Sequence, residues 1–160
     1  MFSKIISLAA VVFVSCVTLA RAESHTVKFV NRCGRGTPTL SQNFNTLSTG
    51  SDYTAGGPFA AAVAWLDTGC GFQGSGCTLV ELTLKNPTSP GAGSSVDISL
   101  IPPHTFNVPA SFSYFNGCDG QGKSCSNANC PPTDAFHVTT DYGAQVQCEA
   151  NNVGLTITFC

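Results

Sequence analysis

Charged side chains are scarce in this sequence: they make up 10% of its 160 residues, against the ~25% usual for a soluble domain. Nucleic acid and anionic membrane surfaces both need clustered Lys and Arg opposite phosphate, so neither is an expected partner. After residue 22 no stretch approaches the ~20 apolar residues of a membrane span. The C-terminus shows no small-residue site followed by an apolar tail, the pattern of a lipid anchor. No window of ten or more residues carries a helical stripe, which excludes a bundle. There is no C-x-x-C pair, so a zinc or thiol-redox site is not expected. No N-x-Ser/Thr sequon is present either, because Asn86 is followed by Pro87. The Gly-x-Ser-x-Gly elbow of a serine hydrolase is absent; Gly74-Ser75-Gly76 reads as a hairpin tip.

Cysteine is what the chain does have. The N-terminus runs from Lys4 through an apolar stretch, Ile5 to Leu19, to Ala20-Arg21-Ala22. A charged start, an apolar middle and an A-x-A site describe a secretory signal peptide over residues 1–22, and a secreted, extracellular or cell-wall location. Cys16 leaves with that segment. Cys33, Cys70, Cys77, Cys118, Cys125, Cys130, Cys148 and Cys160 remain, an even set that reads as a disulfide framework in an oxidising compartment. Removing 22 of 160 residues leaves 138, enough for one domain over 23–160. Lys4 and Arg21 go too, so nine acidic residues face five basic ones and the net charge moves from −2 to −4.

The hydrophobic period is two. Val80, Leu82 and Leu84 alternate with Glu81, Thr83 and Lys85; Val96, Ile98 and Leu100 with Asp97 and Ser99; Val153, Leu155, Ile157 and Phe159 with Gly154, Thr156 and Thr158. Each is a half-buried strand with one wet face. Further strands are expected at Thr26–Val30, Phe59–Leu66, Ser111–Phe115 and Ala144–Cys148. Gly56-Gly57-Pro58, Asn86-Pro87, Pro102-Pro103 and Pro131-Pro132 punctuate them. The pattern predicts an all-β fold, a disulfide-stapled antiparallel β-sandwich, with Val80, Leu82, Val96, Ile98, Leu100, Leu155, Ile157 and Phe159 inside.

Five short motifs occur in order along the chain: Val27-Lys28-Phe29-Val30-Asn31-Arg32-Cys33, Thr78 to Leu84, Val96-Asp97-Ile98-Ser99-Leu100, Phe106-Asn107-Val108-Pro109 and Ile157-Thr158-Phe159-Cys160. In that order the chain resembles the thaumatin-like family, and among its members the short fungal ones that lack the disulfide-rich second domain. The resemblance implies the pairings Cys33–Cys160, Cys70–Cys77, Cys118–Cys148 and Cys125–Cys130. It also implies a cleft lined by an arginine, a glutamate and three aspartates. Glu81 and Asp97 match that set, and Asp141 takes the last acidic place. The arginine's position holds Val63, and the middle aspartate's segment reads Ile101-Pro102-Pro103-His104-Thr105.

The function this implies is recognition of cell-wall carbohydrate, with β-1,3-glucan as partner, by a monomer without cofactor or metal. Weak endo-β-1,3-glucanase activity stays open. Two carboxylates across a sugar can divide acid and base roles when about 5–5.5 Å apart for retention or about 6.5–9.5 Å for inversion, so Glu81 and Asp97 are the candidate catalytic pair. Tyr114 and Tyr142 are candidate sugar-stacking faces beside Glu81, Asp97 and Asp141, whereas Trp65, in an apolar strand, is read as core. Two other readings compete. A disulfide-locked sandwich can serve as a non-catalytic structural or defence protein of the wall. Alternatively, cleavage after Ser24 would expose His25 as an N-terminal copper-binding brace, completed by His104 or His137.

Overall fold

In a computed structural model, residues 22–160 fold as two packed sheets; the predicted signal segment lies outside the described residues but for Ala22. The strands in chain order are β1 (His25–Asn31), β2 (Thr37–Gln42), β3 (Asn45–Ser48), β4 (Tyr53–Ala55), β5 (Phe59–Asp67), β6 (Leu79–Leu84), β7 (Ser94–Ser99), β8 (Ala110–Phe115), β9 (Gly122–Cys125), β10 (Val146–Cys148) and β11 (Gly154–Phe159). A single 3₁₀ turn, Phe72–Gly74, is the one helical element among the described residues. One sheet has the order β4-β1-β11-β8-β9, the other β10-β7-β6-β5-β2-β3.

Period-two alternation produces this architecture directly. All eight residues expected inside are buried, from Val80, Val96 and Ile98 at 0% exposure to Leu100 at 7%. They join residues of both sheets in one contiguous core, including Val27, Leu40, Leu66, Phe112 and Phe159. Each fully buried side chain of this size contributes about 1.5–3 kcal/mol in area terms. The sandwich is not wholly antiparallel: β1 pairs with β11 in parallel, Val27 opposite Leu155 and Asn31 opposite Phe159. These strands come from opposite ends of the chain. No hairpin joins them, so nothing forces them antiparallel.

The four disulfides are Cys33–Cys160, Cys70–Cys77, Cys118–Cys148 and Cys125–Cys130, the pairings the resemblance implied. The first links the end of β1 to the chain terminus across 127 residues. Loop-closure entropy therefore makes it the largest contributor, at about 5 kcal/mol. Cys70–Cys77 closes the long hairpin between β5 and β6, whose tip is the 3₁₀ turn.

Candidate functional site

The outward face of the six-stranded sheet carries the site. Because Val80 and Leu82 point into the core, Glu81 points out; Val96 and Ile98 do the same for Asp97. The register then sets Ser41 opposite Val63, Val63 opposite Glu81, and Glu81 opposite Asp97. At about 4.8 Å per strand, this row runs about 14 Å across four strands. Val63, where the resemblance would have an arginine, is thus the direct cross-strand neighbour of Glu81.

Two adjoining depressions of about 280 and 270 Å³ lie along the row and share Ala61, Val63 and Glu81. The first is walled by Thr83, Ser95, Asp97 and Gln145. The second is walled by Ser41, Gln42, Asn43, Phe44, Gln73, Leu79 and His104. No lysine or arginine lines either one. The exposed Ala61 has a left-handed backbone, φ 52°, at a break in the β5–β6 register, so the bulge bends the strand where the depressions meet.

Asp97 is 7% exposed and stands directly opposite Glu81 in the β6–β7 register. Burial first, then the charge and side chain of the neighbouring Glu81, push its carboxyl up to about 7. With valine in place of a cation beside Glu81, nothing on the row offsets the two charges, and close carboxyls cannot both ionise cheaply. Asp97 therefore keeps its proton well above the usual carboxylate range. Without that proton, Asp97 Oδ2 is a buried acceptor with no protein donor, and Ser41 Oγ at the other end of the row is likewise buried and unpartnered. Buried polar atoms are almost always satisfied, so these two mark the row as the place where the sheet leaves polar groups without an internal partner.

The remaining candidates separate from this pair. Asp141 is not among the groove's lining residues; its Oδ2 accepts from the backbone N–H groups of His137 (2.8 Å) and Val138 (3.1 Å), which hold its carboxyl below the ordinary range. Tyr114 is a core residue at 2% exposure. Its place on β8 turns the ring between the sheets, and its hydroxyl donates to the Val146 carbonyl at 3.0 Å. Burial and the nearby Asp97 charge raise its pKa. Tyr142 is exposed, but it does not line the groove. Trp65 is buried as expected, though on the outward face, where it packs with Cys77 and Leu79 under the disulfide loop. A Cβ at Gly74 would come within 3.0 Å of its ring.

The sequence reading missed the aromatic pair at the groove's far end. Phe44 and Phe72 are 75% and 76% exposed and stack with centroids 5.8 Å apart and planes 21° apart. Phe44 sits in the two-residue hairpin Asn43-Phe44 between β2 and β3, both residues with positive φ (50° and 64°). Such turns favour Asn-Gly, and a bulky residue there costs about 1–2 kcal/mol. A phenylalanine in a glycine's place was the available signal.

All three histidines are engaged by backbone carbonyls. His104 Nδ1 donates to Gly74 O (3.0 Å) and His137 Nε2 to Cys130 O (2.7 Å). His25 is fully buried; Nδ1 donates to Val153 O (2.8 Å) and Nε2 meets Glu23 Oε1 (2.9 Å). The same Glu23 oxygen accepts from the Asn86 amide at 2.6 Å. Burial works against the Glu23 charge, but the Asn86 amide and His25 outweigh it and hold its pKa below the ordinary value. Cleavage after Ser24, which a brace requires, would remove Glu23 and free Nε2, but Nδ1 would stay on the Val153 carbonyl within a fully buried ring. The described residues hold no group of three His, Cys, Asp or Glu placed to bind a metal.

One further spacing, Gly117 to Gly122-Lys123-Ser124, fits the phosphate-loop pattern G-x-x-x-x-G-K-S. The fold gives it no such role: Gly122–Cys125 is a strand rather than a helix start, Cys118 is in a disulfide, and Lys123 faces Asp134 at 3.8 Å. A scan against protein-family models found no match for this chain, and a search of curated proteins found none either.

Proposed function

We propose that this is a secreted thaumatin-like protein that recognises cell-wall carbohydrate, β-1,3-glucan, through the groove around Glu81 and Asp97. The observation that carries the reading is the Glu81–Asp97 pair, with Asp97 buried, in a groove without cations, and with Ser41 Oγ unpartnered on the same row. A sugar offers hydroxyls that both donate and accept, which suits two neighbouring carboxyl groups. It also brings no charge that would need a lysine or arginine. Four disulfides suit an oxidising destination. Processing after Ala22 would keep Glu23, which anchors both His25 and Asn86.

Binding is favoured over hydrolysis. Glu81 and Asp97 are direct cross-strand neighbours on one sheet face, side by side rather than on opposite sides of a space for the sugar. The test is pull-down of the mature protein on insoluble β-1,3-glucan, other β-glucans and chitin, with released sugar scored separately. Retention on β-1,3-glucan that Asp97→Ala weakens, without a fall in melting temperature, supports the reading. Equal retention of both proteins, or none of either, removes it.

A further inference from the structure

We propose that Phe44 and Phe72 form a second recognition element at the far end of the groove, an apolar platform for a pyranose ring of the same polysaccharide chain whose hydroxyls reach the carboxyl pair. This rests on the carbohydrate reading above and extends it from one subsite to a chain-length-selective site.

Three observations lead there. The depression bordered by Phe44 and Gln73 is continuous with the one that holds Asp97, since Ala61, Val63 and Glu81 line both. The two rings stay about three-quarters exposed although they stack on each other, so the pair presents apolar surface outward. Finally, left-handed backbone carries Asn43 and Phe44 in one loop and Gln73 (φ 52°), next to Phe72, in the other. Local strain kept at a surface loop tip is characteristic of binding positions. The Cys70–Cys77 disulfide and the His104 bond to Gly74 O fix the second loop from below.

The surroundings select the occupant. Gln42, Asn43, Gln73 and His104 ring the platform with neutral polar groups, and Ser41 Oγ lies unpartnered beneath. An apolar face edged by hydrogen-bonding groups matches a pyranose, which has C–H faces and a hydroxyl rim. A purely apolar partner would leave the polar rim unpaired.

The experiment is a calorimetric titration of wild type, Phe44→Gly and Phe72→Ser with β-1,3-linked glucose dimer and hexamer, with sedimentation of each protein alone. Glycine at position 44 fits the positive φ, so Phe44→Gly should fold at least as well as wild type. Phe72→Ser removes the other ring without touching that turn. The expected result is that the hexamer-to-dimer affinity ratio falls about tenfold in each variant, while Phe44→Gly melts no lower than wild type. A ratio unchanged in both variants, with wild type still binding the hexamer, overturns the platform and leaves the carboxyl-pair reading intact. Failure of wild type to bind either oligomer overturns both. Self-association of wild type that both variants abolish would assign the rings to a second copy of the chain and overturn the proposal.

Discussion

Asp97→Asn isolates the consequence of burying Asp97 beside Glu81 with no cation between them. The folded chain holds the Asp97 proton up to about pH 7, whereas the unfolded chain releases it as an ordinary aspartate does, near pH 4. Between those values the folded state binds the extra proton, so stability falls as pH rises. It levels off once the folded pKa is passed. At about 1.4 kcal/mol per pH unit, the loss across the window is bounded at about 4 kcal/mol. Asparagine cannot ionise, and its amide can donate to Glu81 in the proton's place. The variant should therefore match wild type near pH 4 and exceed it by up to about 4 kcal/mol at pH 8. Guanidinium unfolding with disulfides intact, at unit steps from pH 4 to pH 8, reads this directly. The difference between the two proteins cancels the other titrating groups, Glu23 and Asp141 included. If wild type gains stability between pH 4 and pH 7 relative to the variant, or the two curves run parallel, the account of a raised Asp97 carboxyl is wrong.

Other outcomes follow from the same structure. Glu81→Gln should keep glucan binding, because its amide can still bond Asp97, and should bring any released sugar to background; hydrolysis that survives it would exclude a two-carboxyl mechanism. Replacing Cys33 and Cys160 with serine should cost about 5 kcal/mol, against about 2 kcal/mol for Cys125 and Cys130, in the loop-entropy picture; denaturant midpoints rank them, and a reversed order would contradict it. Tyr114→Phe should lose about 1 kcal/mol through the missing bond to Val146 O and leave glucan affinity unchanged, whereas a binding defect would return Tyr114 to the site.

The sequence made the sheets legible where one face is dry and the other wet. β6, β7 and β11 alternate over five or more residues, and each was expected within a residue or two of its observed ends. β2, β3, β4 and β9 were not expected. Thr37–Gln42 carries polar residues on both faces, because its outward face is the groove and its neighbour is a short hairpin strand. β4 has only three residues and sits at a sheet edge. Glu81 and Asp97 were found because each occupies the polar phase of a clear strand. Tyr114 was misread: in Ala110–Phe115 the apolar phase carries Phe112 and Tyr114, and the outward phase holds Ser111, Ser113 and Phe115. Its hydroxyl suggested a surface role, yet it serves to satisfy a carbonyl of the facing sheet. Asp141 was matched by order alone, and loop aspartates often turn back onto their own backbone, as this one does. The Phe44–Phe72 contact joins residues from two loops, and no local period reveals that.

The most direct measurement of the central claim is a crystal structure of the mature protein with a β-1,3-linked glucose hexamer. The account predicts sugar hydroxyls within hydrogen-bond distance of the Glu81–Asp97 pair and of Ser41 Oγ, with the chain lying across β7, β6, β5 and β2. A hexamer seated elsewhere, with the carboxyl pair still closed and Ser41 untouched, would contradict it.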